Sequence, residues 1–164
     1  MTITESSSSN TVEEFQDWFE KTTFHAFKSQ KFLIPTCAIM GGDGKTYVMV
    51  MNGPHKDQMM SYVRNFCKSK SAIALCLAIE AWVSQASTDD KAKINLANQI
   101  GVSMMPDRKE IVLMSFEVAG KSTIAKAWDI IRNGDQVDLK YFKEMSDGGT
   151  FSGRMNNILE TSIN

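Results

Sequence analysis

The clearest alternation of apolar and polar positions lies between Ser71 and Gln85. Ile73, Leu75, Leu77, Ile79, Ala81 and Val83 share one parity; Ala72, Ala74, Cys76, Ala78, Glu80 and Trp82 share the other. Large side chains alternating with small ones at period two predict a long central strand. Ala, Leu and Glu are also good helix formers, so a helix competes for the same residues. Elsewhere the period is helical. Over Thr11 to Ser29, Val12, Phe15, Trp18 and Phe19, followed by Phe24 and Phe27, recur at helical intervals. Thr11 and Glu14 have capping-box spacing, and Glu13, Glu14 and Asp17 suit the positive end of a helix dipole. Met59, Met60, Val63, Phe66 and Cys67 form a second helical stripe after Gly53-Pro54, where proline fits the first turn.

Shorter apolar runs predict the remaining strands. Phe32 to Met40 and Thr46 to Met51 flank Gly41-Gly42-Asp43-Gly44-Lys45, a hairpin pattern. Pro35 cannot donate a ladder hydrogen bond, so the first run is an edge strand or starts near Pro35. Lys109 to Val118 and Lys121 to Arg132 read as a second hairpin around Ala119-Gly120. Ile124, Trp128 and Ile131 also fit one helical face, so 121–132 is open between strand and helix. Between the hairpins lies a long polar loop, 86–107, with a short helix within Asp89 to Gln99. Asn133 to Thr150 is mixed, with Tyr141 and Phe142 as anchors and a turn at Asp147-Gly148-Gly149; Met155 to Ile163 reads as a terminal helix. The Ser-rich residues 1–10 are expected as a disordered tail, and 11–164 as a single domain.

The order helix, two strands, helix, three strands, helix makes an α+β domain. A largely antiparallel sheet of about five strands is expected, with helices mainly on one face. This order resembles the roadblock and profilin-like arrangement, and such folds host many functions.

Composition narrows the classes. The chain has 164 residues, 43% hydrophobic and 23% charged, enough for one domain with a real core. Its net charge of -1 argues against general binding to nucleic acid or an anionic membrane. No run approaches the roughly 18 apolar residues that span a bilayer, and Met1 to Asn10 lacks the basic and apolar parts of a signal peptide. A cytoplasmic protein is the expectation. Cys37, Cys67 and Cys76 are odd in number and lie in apolar runs, which suggests reduced, buried thiols. They lack zinc-site spacing, and His25 and His55 lie far apart, so neither a metal nor another cofactor is expected.

Glu80-Ala81-Trp82 at the end of the central strand, then Pro106-Asp107-Arg108-Lys109-Glu110 before the next, resembles a pattern in small bacterial and phage α+β proteins. There a strand ending E-A-W is followed by a loop and then by P-D-R-x-E leading into a strand. The resemblance covers roughly 32–132, interrupted here by the longer segment 83–105. That family has no established activity, so the resemblance implies topology and no reaction.

These same residues are the first candidate site. A carboxylate near the end of a buried strand is costly unless paired. Neighbouring strands could set Arg108 against Glu80, either as an ion pair that pins loop and register or as part of a pocket. In the pocket reading Glu80 is a general base or polar ligand contact, Arg108 clamps an anion, and Trp82 lines the cleft. Arg154, in the glycine-rich run Asp147 to Arg154, would join them at a helix start. Gly120-Lys121-Ser122-Thr123 has the ending of a phosphate-binding loop, but the earlier glycine of that pattern is Ser115 here, and a hairpin turn is preferred. The three thiols lack the neighbours of a nucleophile, and Ser152 lacks triad partners. The first helix carries more aromatics than one face can bury, so Phe15, Trp18 and Phe19 are candidates for a partner surface as well as for the core. The resulting expectation is a non-enzymatic phage or bacterial accessory protein acting through a protein partner or as a homo-oligomer. Its rival is a small-ligand or nucleotide-binding domain, extending to a hydrolase, built on Glu80, Arg108 and Arg154.

Overall fold

A computed structural model describes residues 2–6, 11–51, 55–87, 89–146 and Leu159. In chain order these form β1 (Thr2–Ser6), α1 (Val12–Gln30), β2 (Thr36–Met40), β3 (Thr46–Val50), α2 (Lys56–Ser69) and β4 (Ala74–Val83). Then follow α3 (Lys91–Ile100), a 3-10 turn (Val102–Met104), β5 (Lys109–Val118), β6 (Ile124–Asn133) and β7 (Gln136–Ser146). The strands make one antiparallel sheet in the order β1-β3-β2-β4-β5-β6-β7. The chain is an α+β protein, as its patterning predicts.

The alternation in β4 explains the layering. Ala74, Cys76 and Ala78 point to the face covered by α1, where Phe15, Phe19 and Phe27 fill the space that the small residues leave. Leu75 and Leu77 point to the opposite face, against Met60, Val63 and Cys67 of α2. The two long helices therefore lie on opposite faces, which corrects the one-face arrangement. A central strand apolar on both parities must be covered twice, because each exposed large apolar side chain forgoes roughly 1.5–3 kcal/mol of burial.

The sheet has seven strands where about five were expected. One addition is β1: Thr2–Ser6 pair with β3, so this stretch is an edge strand and not a tail outside the fold. The other is β7, in the stretch read as mixed. Gly134-Asp135 is the tight two-residue turn between β6 and β7, with Gly134 in the left-handed region at φ 59. A two-residue Gly-Asp loop between strands is a hairpin signal, and it marks this turn in the sequence.

Residues 121–132 resolve as strand: after a turn at Gly120 (φ 74), β6 begins at Ile124. Pro35 delays β2 to Thr36, but β2 lies inside the sheet, between β3 and β4. Thr11 caps α1 with both bonds of the capping box, at 3.1 Å and 3.3 Å. The loop 86–107 contains α3 and the 3-10 turn. The expected opening of α2 at Gly53-Pro54 and the terminal helix at 155–163 fall outside the described residues, except for Leu159. That residue is buried in the α2 layer and donates its N–H to the Glu117 carboxylate at 3.0 Å.

Candidate functional site

Glu80, Trp82, Asp107, Arg108 and Glu110 gather at one end of the sheet. α1 stops at Lys31, which takes the left-handed conformation at φ 64. The chain then doubles back along β4. Pro35 has no N–H and ladder pairing to β4 starts only at Thr36. Upstream of it, the Glu80 side chain substitutes for a ladder acceptor: the Leu33 N–H donates to Glu80 Oε1 at 2.6 Å. Burial pushes the Glu80 carboxyl above the ordinary range. The Leu33 N–H and Arg132 pull it down, while Glu110 pushes it further up.

Arg132, at the end of β6, ties the same turn from the other side. Its Nε and Nη2 donate to the two oxygens of Glu110 at 2.9 Å and 3.0 Å, and Nη1 donates to the carbonyl of Lys31 at 2.8 Å. This fork geometry is specific to a guanidinium. Arg132 was not among the expected site residues. The signal for it is positional: continuing the β5–β6 register past Ile111↔Asp129 sets Arg132 diagonal to Glu110.

Arg108 does not meet Glu80, so the expected ion pair is replaced. Its guanidinium lies 5.2 Å from the Trp82 ring centroid, in cation–π contact, and Nη1 donates to the Met105 carbonyl at 3.3 Å. Asp107 closes the base of the 84–107 excursion. Ser84 Oγ donates to it at 2.7 Å, and Lys93 of α3 bridges it to the carbonyl of Gln85. The Lys93 and Ser84 bonds lower the Asp107 carboxyl from its ordinary value. Arg154 lies outside the described residues.

Beside this network stand exposed apolar side chains. Trp82 is 46% exposed, Phe32 51% and Met104 66%, and Ile34 is exposed as well. Leu33 beside Glu80 places Phe32 and Ile34 at the level where β4 runs on to Trp82. The Arg108–Met105 bond joins Trp82 to the 3-10 turn that ends at Met104. α3 buries none of its residues, and Ile94, Leu96 and Ile100 are exposed.

The other candidates resolve separately. Phe15 and Phe19 are buried in the core and Trp18 packs partly against it, so α1 does not present them as a surface. Three phenylalanines fit beneath one helix because the facing strand residues are small. Burial pushes the thiols of Cys37 and Cys67 up to about 12, with Cys67 adding to the first and Glu117 to the second, and raises Cys76 as well. None is a thiolate nucleophile at neutral pH. Lys121 N–H donates to the Val118 carbonyl at 2.9 Å in the turn at Gly120, and a strand follows where a phosphate loop requires a helix. His25 and His55 are exposed.

A groove of about 410 Å³ lies between α1 and the start of β6, with Glu13, Asp17 and Glu20 on one wall and Phe116, Ile124 and Lys126 on the other. Lys126 and Glu20 are bonded across it at 2.9 Å. It contains none of the expected ligand residues. Among the described residues no three His, Cys, Asp or Glu side chains are grouped to hold a metal, and no helix is long and apolar enough to cross a membrane.

No protein-family model, curated protein or solved structure matches the chain. The likeness to roadblock and profilin-like folds therefore rests on element order alone, and the E-A-W and P-D-R-x-E pattern on its own residues.

Proposed function

We propose that the chain is a non-enzymatic protein-interaction domain whose contact surface is the Trp82 end of the sheet. The observation that carries this reading is the division of labour there. Glu80 holds Leu33, Glu110 holds Arg132, and Asp107 holds Ser84 and Lys93. The polar groups fix the chain, while Trp82, Phe32, Ile34 and Met104 face solvent with Arg108 stacked on the indole. Trp and Arg beside a rigid, partly desolvated frame have the composition of a binding hot spot. Glu80 commits Oε1 to the Leu33 N–H, which supports a structural role for this carboxylate. An accessory role in a phage or bacterium rests on the pattern resemblance and is part of the same proposal.

The test is quantitative cross-linking in the native host, comparing the full chain with Trp82→Ala. Loss of at least ten-fold in a specific cross-linked partner is expected, since truncating a hot-spot residue costs about 2 kcal/mol or more. An unchanged partner set, or a small molecule retained by the freshly purified protein in native mass spectrometry, would overturn the reading.

A further inference from the structure

We infer that β7 is a homodimerisation edge, pairing antiparallel with β7 of a second copy about a two-fold axis through Leu139. β7 ends the sheet, and among the described residues its only strand partner is β6. An open edge is a template for another strand. The register shift opposite Ala127 and Trp128 leaves Gln136 to Tyr141 as the regular stretch. This stretch is self-complementary. With the axis at Leu139, Leu139 faces Leu139, Val137 faces Tyr141 and Asp138 faces Lys140 of the second copy.

The faces agree with that register. Val137 and Leu139 pack partly against the α1-side core, and Tyr141 stands on that side, edge-on to Trp128 at 5.8 Å. Tyr141 is nevertheless 54% exposed, and Val137 and Leu139 are only partly covered. Pairing would cover all three in both copies. On the opposite side Lys140 lies across from Asp129 in the β6–β7 register, so Asp138 of the second copy continues an alternation of charge. Moving the axis by one residue either way, a two-residue slip of register, sets Asp138 against itself or Lys140 against itself. Opposite charges directly across a ladder stabilise it and like charges destabilise it, so the charges select one alignment. A two-fold strand pair is also the closed, isologous arrangement that does not propagate into fibres.

Space allows it. α1 packs on β2, β4 and β5 and reaches β6 through Phe24 on Trp128. β6 and its symmetry mate would stand roughly 14 Å apart at about 4.8 Å per strand, more than the roughly 8–10 Å that packed helices need. This surface shares no residue with the Trp82 surface, so either can fail alone.

Native mass spectrometry and light scattering of the full chain test the inference. The expected species is a dimer. Asp138→Lys sets a lysine side chain against Lys140 twice per dimer and, being exposed and opposite Ile131, leaves the fold and its circular dichroism unchanged. It is expected to weaken the dimer about ten-fold or more. Leu139→Cys places two thiols across the axis, where facing Cα atoms stand about 4.5–5.5 Å apart, within disulfide reach. With diamide added as the two-electron oxidant, a covalent dimer linked at position 139 is expected, with the buried native cysteines silent. A monomeric chain, a dimer indifferent to Asp138→Lys, or no disulfide at 139 would overturn it.

Discussion

Glu80 shows how one side chain can be costly and necessary together. Its charge is partly desolvated, yet its oxygen is the acceptor for the Leu33 N–H at 2.6 Å. A carboxyl whose folded-state pKa is raised binds its proton more tightly folded than unfolded. Its contribution to stability is therefore full below the ordinary carboxylate range and is lost as pH rises through the raised value. Glu80→Gln keeps the acceptor and removes the charge. Urea denaturation at pH 4 and pH 7 is expected to show that the variant loses this part of the wild-type decline and is at least as stable at pH 7. Glu80→Ala is expected to cost roughly 1–3 kcal/mol at either pH, because it leaves the Leu33 N–H without its acceptor. Equal declines for wild type and Glu80→Gln would contradict the assignment. The sequence marked Glu80 as a carboxylate that needed a partner. It did not disclose which, because the partner is a backbone N–H of a segment 47 positions away.

At the scale of elements, local chemistry was readable where it is local. The capping box of α1, the Gly41–Lys45 turn and the stripe of α2 are written in neighbouring residues. The excursion between β4 and β5 is different. α3 buries no residue, and its described polar ties converge on Asp107 through Lys93 and on the Gln85 carbonyl. A helix of this length is marginal without such support. Asp107→Ala is expected to raise amide exchange and protease cutting within 91–104 by at least ten-fold, with the global denaturation midpoint unchanged. A fall in global stability instead would place α3 within the cooperative core. The strand–helix ambiguity of 121–132 likewise had no local solution. Ile124, Trp128 and Ile131 satisfy a helical face, and pairing with β5 and β7 on both sides decided for the strand.

Across the whole molecule, one sheet serves two apolar layers, and β4 contributes to both. The layers should therefore fail together. Phe15→Ala empties the α1 layer and is expected to cost about 3–5 kcal/mol; Leu77→Ala empties the α2 layer and is expected to cost about 2–5 kcal/mol. Both should shift a single transition, coincident by far-ultraviolet circular dichroism and tryptophan fluorescence. Two separated transitions in either variant would show the layers to be independent. By itself the sequence determined the α+β class, the extent of α1 and β5, the apolar stripe of α2, the two-parity pattern of β4 and the depth of the three cysteines. Periodicity, caps and turn residues report on neighbours a few positions away, and these features need nothing more. Only the tertiary structure decided that the helices take opposite faces, that Thr2–Ser6 and Gln136–Ser146 extend the sheet at both edges, and that Arg108 stacks on Trp82 while Arg132 takes Glu110. Each of those outcomes is a competition between distant segments for one edge, one face or one carboxylate. Such competition is settled by register and by packed volume, which no short window of residues contains.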